Sequence, residues 1–219
     1  MILSEFKYDI FDILIGTVYF AIVCLICKLI VDIVKDMVGS LVIKCVFDKI
    51  KISDSDEIVY GCKIGNGIVF NRETSRIKKF NGKHMDGMTD ADVKAIVIET
   101  SPETTLFPTG FGGIFTNIHY IKIVNTRISK IKQDHLLDFP KLRYLYLNNN
   151  EIIEIPENLF IHNPELEVID LSFNQINYVK KESFNGLKKL RFLDLRENIA
   201  DFDHATSIEG VKKMIEAME

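Results

Sequence analysis

Aliphatic residues recur every 24 positions through the second half of this chain. Leu142, Leu145, Leu147, Asn150, Ile152 and Ile155 make one copy, and Leu166, Ile169, Leu171, Asn174, Ile176 and Val179 make the next. Copies start at 118, 142, 166 and 190, and a weaker one starts at Val93, 25 residues before Ile118. The copy from Ile118 has Ile121 and Ile123 but Thr126 in place of Asn; the copy from Leu190 keeps Leu193, Leu195 and Asn198 and loses the pattern at Ala200. No single unit of this size can bury its own apolar face, so units that recur in phase must cover one another in a stack. Within each unit the alternation of the central aliphatics specifies a short strand. The Asn can bond backbone groups at the turn that ends it. Pro156, Leu159 and Phe160 in one copy, and Ser183, Phe184 and Leu187 in the next, return an aromatic and a leucine to close the core.

These positions resemble the leucine-rich repeat family in its 24-residue extracellular type. The resemblance implies an α/β solenoid, a horseshoe with a parallel concave sheet. Residues 83–93, with Cys45 and Cys62 ahead of them, are similar to the N-terminal region of small secreted or membrane-linked repeat proteins of insects. The common four-cysteine N-terminal cap and the cysteine-containing C-terminal cap are absent. Instead Ser207 precedes Ile208, Val211, Ile215 and Met218, which share one helical face, so a helix capped by Ser207 is expected to close the open end. The division this suggests is 1–40 as a hydrophobic membrane or signal segment, 41–92 as a cap region with a β-hairpin, 93–199 as repeats and 200–219 as a helical cap.

Aligned copies place three columns of outward-facing residues on the concave sheet. The first is Ala95, Tyr120, Tyr144, Val168 and Phe192; the second is Val97, Lys122, Tyr146, Asp170 and Asp194; the third is Glu99, Val124, Asn148, Ser172 and Arg196. Tyr120, Tyr144, Tyr146 and Phe192 are expected to form an exposed ridge bordered by Lys122, Asp170, Asp194 and Arg196. The family commonly binds protein partners on this face, and Tyr and Arg combine large contact area with a polar handle. Aromatics also favour strands for packing reasons alone. If the ridge is exposed, replacing Tyr144 and Tyr146 together by Ser leaves the thermal melt nearly intact and abolishes binding.

The first half of the chain explains its mean hydropathy of +0.11. Of the 25 residues from Ile10 to Val34, 20 are apolar. The uncharged run Ile13 to Cys27 covers about 22 Å as a helix, and continuing to Val31 with Lys28 at the headgroups would span a bilayer core. A retained anchor is favoured over a cleaved signal peptide, because the apolar run is long and Glu5, Lys7 and Asp9 leave no net positive charge before it. A buried helix of the domain is the third reading.

Cys24 and Cys27 lie within this run and read as packing residues, whereas Cys45 and Cys62 flank a hairpin pattern. That pattern is a β-rich run from Leu41 to Ile52, a polar turn over 53–56, and a second run from Glu57 to Cys62. A disulfide between Cys45 and Cys62 is preferred over two free buried thiols, and it implies an extracellular or lumenal domain. Lys28, Lys35 and Lys44 after the span argue the opposite orientation. The cytoplasmic-facing scaffold therefore remains an alternative, as does a secreted ligand or decoy after cleavage.

The charge balance, 27 Lys+Arg against 31 Asp+Glu, offers no electrostatic footprint for nucleic acid. No metal-ligand spacing links His84, His119, His135, His162 and His204, and Gly110 to Gly113 lacks the Lys-Ser/Thr of a phosphate loop. The pair Asp170 and Asp194, one strand apart, lies on an open sheet with nothing to raise either pKa. The reading is non-enzymatic, without cofactor or metal: a membrane-anchored or secreted module whose concave face recognises a protein ligand or co-receptor.

Overall fold

Stacking of the 24-residue units produces one continuous hydrophobic column closed at both ends by different devices. The structure is a computed structural model that describes residues 21–30, 40–53, 55–65, 70 and 76–218. The chain divides into two units, Met1–Ser40 and Leu41–Glu219. In the first, residues 21–30 are helical and Cys24 and Cys27 are exposed. The rest of the apolar run from Ile10 to Val34 lies outside the described residues. No helix among the described residues is long and apolar enough to cross a membrane.

The second unit is built on a nine-stranded sheet. Its strands in chain order are β1 (Ser40–Lys51), β2 (Ile58–Ile64), β3 (Arg76–Asn81), β4 (Ala95–Glu99), β5 (Tyr120–Val124), β6 (Tyr144–Tyr146), β8 (Val168–Asp170), β10 (Phe192–Asp194) and β11 (His204–Ala205). Spatial order is β11-β10-β8-β6-β5-β4-β2-β1-β3. From β2 to β10 the neighbours run parallel, in the register that the repeat dictates: Ile96 opposite Ile121, then Leu145, Ile169 and Leu193. Two further strands, β7 (Glu154–Ile155) and β9 (Tyr178–Val179), pair parallel in a second, two-stranded sheet. The inward aliphatics of both sheets meet Phe160, Phe184, Leu159 and their counterparts in one buried column.

The repeated Asn does the work at the strand ends that its spacing predicts. Asn174 Nδ2 donates to the carbonyls of Leu147 and Leu171, both at 3.0 Å, and its Oδ1 accepts the Ile152 N–H at 3.0 Å. Asn150 and Asn198 repeat the arrangement one unit to either side. Thr126, at the equivalent place, donates its hydroxyl to Asn150 Oδ1 and so ends the ladder. The residue just before each of these turns the chain through the left-handed region: Asn125, Asn149, Phe173 and Glu197 have φ of 54°, 56°, 54° and 55°. Asn tolerates this conformation better than most side chains; Phe173 adopts it at a steric cost that the ladder on both sides imposes.

The N-terminal end is closed by the antiparallel hairpin of β1 and β2, with β3 outside β1. Cys45 and Cys62 form a disulfide across it, their Cα atoms 5.5 Å apart. Beneath lie stacked aromatics, Phe80 against Phe115 at 4.6 Å and Phe47 against His84 at 3.9 Å between ring centres. The Gly110 to Gly113 segment makes a turn, with φ of +95° at Gly110. Gly112 is required there, since a Cβ would sit 2.1 Å from that of Asp138.

At the other end, β11 pairs antiparallel with β10 and leads into the helix Ile208–Glu216. Ser207 Oγ accepts the Gly210 N–H at 3.1 Å, which satisfies one of the free donors of the first turn. Val211, Met214, Ile215 and Met218 face the core, whereas Ile208, expected on that face, is exposed.

Candidate partner-binding face

The outward-facing columns form as the repeat arithmetic requires. Gly61, Ala95, Tyr120, Tyr144, Val168 and Phe192 lie opposite one another along the first, and Val97, Lys122, Tyr146, Asp170 and Asp194 along the second. Their exposure differs from the sequence expectation. Tyr120, Tyr144 and Tyr146 are only 1%, 2% and 5% exposed, so they do not make an open aromatic ridge.

The reason is the hairpin, whose far end folds over the sheet. Ile50, Ile52 and Val59 join Ala95, Val97, Tyr120, Val124, Tyr144, Tyr146 and Val168 in a second hydrophobic cluster, separate from the solenoid core. Glycine at 61 makes the approach feasible: a Cβ there would fall 2.3 Å from Ile50 Cδ1 and 2.7 Å from the Ala95 Cβ. The Tyr120 ring lies 5.5 Å from that of Tyr146 and 6.4 Å from that of Tyr144. Beyond the turn, Glu57 crosses β4 and β5 to meet Arg143, Oε2 to Nη1 3.0 Å, just ahead of β6. Arg143 also stacks over Tyr144, 5.0 Å from guanidinium carbon to ring centre, and donates to Glu167 at 2.7 Å. Arg191 approaches the same carboxylate at 3.5 Å. Burial alone would raise the Glu167 carboxyl, but the hydrogen bonds and charges of Arg143 and Arg191 outweigh it and hold the group below its ordinary range.

The C-terminal half of the face stays open. Phe192 packs only partly against the tyrosine cluster, and Asp170 and Arg196 remain accessible, whereas Lys122, on β5 between buried Val97 and Tyr146, is half-buried. Lys122 pairs with Glu99 across β4 and β5. Asp170 and Asp194, expected as binding carboxylates, are engaged first in the turns that follow their strands. Asp170 Oδ1 accepts the Ser172 N–H at 3.0 Å and hydroxyl at 2.7 Å. Asp194 Oδ1 accepts the Arg196 N–H at 3.0 Å, and the Arg196 guanidinium forks over both its oxygens at 3.0 and 2.6 Å. Asp194 is buried, which favours the neutral form, but the Arg196 bonds and charge prevail and its pKa is lowered. The exposed chemistry of this half is therefore the aromatic edge of Phe192, the accessible face of the Asp170 turn, and the outer side of the Arg196 guanidinium.

Sequence reasoning missed Glu57 and Arg143, which hold the cover in place. One trace was available: Arg143, Glu167 and Arg191 alternate in charge at intervals of 24. It marks an ion-pair row along one edge of the sheet but does not reveal that Glu57 reaches it.

The sequence profile of the family described as leucine rich repeat matches residues 116–176 and 140–199. No curated protein matches the chain. Among solved structures, a chain of the Drosophila Toll–Spatzle complex aligns with 57% of this chain and 17% of its own length, at 15% identity and a TM-score of 0.47. An internalin from Listeria monocytogenes aligns with 67% of this chain and 41% of its own length, at 21% identity and a TM-score of 0.41. The aligned region thus amounts to less than half of either of those chains. The match over residues 116–199 and the parallel ladder in 24-residue register identify this part of the chain as a run of leucine-rich repeats.

Proposed function

We propose that the protein is a non-enzymatic binding module that takes a protein ligand or co-receptor on the open half of its concave face. The observation that carries this reading is the division of the face. The hairpin covers Tyr120 and Tyr144, and it leaves Asp170, Phe192 and Arg196 accessible on the strand ladder. An aromatic and an arginine on a fixed backbone lose little freedom when they dock, and such residues dominate interface energetics. Tyr120, Tyr144 and Tyr146 flank the site under the hairpin, with Phe192 partly packed against their cluster, and Asp194 orients Arg196.

The disulfide of Cys45 and Cys62 supports an oxidising surrounding, with the repeat unit outside the cell or in the secretory lumen. The apolar run from Ile10 to Val34 is read as a retained membrane anchor; its cleavage would make the same module a secreted ligand or decoy. A cytoplasmic-facing scaffold would have both thiols reduced. The mass of the mature protein, with and without reduction and alkylation, separates these three cases.

The binding face is tested by placing a photo-crosslinking amino acid at position 192 or at position 161 of the full chain in the cells that produce it. Position 161 is exposed and far from the concave columns in the repeat. Adducts with a protein partner are expected from 192 and not from 161. Equal adducts from both, or adducts from 161 alone, would overturn the assignment.

A further inference from the structure

The smaller sheet stops after two units, and a cleft opens beside its second strand. Each of two successive units supplies two residues to the smaller sheet, Glu154 opposite Tyr178 and Ile155 opposite Val179. At the same interval Phe202 and Asp203 would add the third strand. They do not: the Ala200 N–H bonds to the Ile176 carbonyl at 3.1 Å, and the Asp203 carbonyl then accepts the Leu195 N–H at 3.2 Å. That bond draws the chain across to β10, where it forms β11. The position of a third strand is left vacant, and β9 is the outer strand of its sheet.

The backbone bonding records the same break. In the preceding unit the Ile153 carbonyl accepts the Asn177 N–H at 3.2 Å, whereas no backbone N–H among the described residues reaches the carbonyl of Asn177, its counterpart. The vacated space is a cleft of about 790 Å³, with Asn177 and Tyr178 on one wall, Asp201, Asp203 and His204 on the capping segment, and Met214 on the helix. That volume falls within the ~300–1,000 Å³ of clefts that enclose ligands.

We propose that this cleft takes an extended segment of a partner protein carrying basic side chains, which adds to β9 as its third strand. Main-chain pairing with an open strand edge supplies affinity, and pockets for alternate side chains supply selectivity. Tyr178 is 48% exposed and, with the flexible thioether of Met214, offers an adaptable apolar surface. Charge selects the partner. Asp201 makes no ion pair among the described residues. Asp203 accepts the His204 N–H at 2.7 Å and lies 3.1 Å from its Nδ1, contacts that hold the carboxylate below its ordinary range. Lys213, also in the lining, faces Glu209 at 3.9 Å. This site is distinct from the concave face, so the two readings stand or fall separately.

The test uses the full chain in mild detergent and a fluorescein-labelled heptapeptide of alternating valine and lysine, blocked at both ends. Fluorescence anisotropy reads binding, and hydrogen exchange with mass spectrometry locates it. Saturable binding with slowed exchange over residues 177–180 is expected. The same peptide N-methylated at alternate positions should not bind, and a valine–glutamate peptide should not bind. Asp201→Asn, at an exposed position, should weaken the lysine peptide about two- to five-fold, the worth of one exposed ion pair. Equal binding of the N-methylated peptide would overturn strand addition, and equal binding of the glutamate peptide would overturn the charge argument. Absence of binding, or slowed exchange confined to other segments, would overturn the proposal as a whole.

Discussion

Replacing Asn174 by Ala removes the centre of the ladder that ties three repeats together, and the structure sets the size of the effect. Its Nδ2 donates at 3.0 Å to two carbonyls, those of Leu147 and Leu171, and its Oδ1 accepts the N–H of fully buried Ile152. The two carbonyls keep a second donor each, from Asn150 and Asn198, so each loses only the net worth of a hydrogen bond, about 0.5–1.5 kcal/mol. The Ile152 N–H is left without a partner where water does not reach, at about 1–3 kcal/mol. The loss expected is about 4 kcal/mol, or ~8–16 °C in Tm for a unit of this size. Asn198→Ala is the comparison. It sits at the half-exposed last rung, where water can replace the side chain, and should lose about 1–2 kcal/mol. Urea denaturation followed by circular dichroism measures both. An Asn174→Ala variant within about 1 kcal/mol of the parent, or equal losses at the two positions, would refute the reasoning.

Three further outcomes are expected. Tyr144→Ala should cost about 3 kcal/mol, because the ring is buried under the hairpin; a melt unchanged by Tyr144→Ser with Tyr146→Ser would mean that the cover is not formed in solution. Reducing the Cys45–Cys62 bridge should lower stability by about 3 kcal/mol in denaturation with and without reductant, and no difference would remove the bridge from the account of the cap. Burial depresses both His119 and His135 below 6.5, helped by Lys94 and Arg143 for the first and by Lys132 for the second. The unfolded chain therefore takes up those protons first as pH falls. Stability should hold steady above about pH 7 and decline below 6.5 through the folded values, with a second decline at lower pH as Glu167 and Asp194 are protonated. Midpoints measured from pH 7.5 to 5 should flatten in His119→Gln with His135→Gln, and an unchanged slope would assign the decline to other groups.

Much of this architecture is legible from spacing alone, because a parallel stack copies its register from one unit to the next. The interval of 24 by itself places Leu145 against Ile169 and Tyr144 against Val168. It also identifies which Asn closes each strand. The hairpin is legible from its alternation and its polar turn, and the end helix from Ser207. The aspartate turns are less so: Asp170 and Asp194 read as binding carboxylates, but each bonds the backbone two residues on, a local use that the same residue type serves equally well.

Periodicity determined what faces the core and what faces away from it. Whether a residue facing away meets solvent is another matter, settled by a segment remote in the chain. Tyr120 and Tyr144 sit in the outward column as the repeat demands, yet Ile50 and Ile52 of a hairpin some 70 to 90 residues earlier cover them, and Glu57 fastens that cover to Arg143. The cleft beside β9 likewise follows from the path the chain takes after Ala200, which leaves one strand position empty while capping the sheet next to it. Register is a local property repeated many times and so leaves a pattern in the sequence. A single long-range contact is made once, and burial by it leaves none.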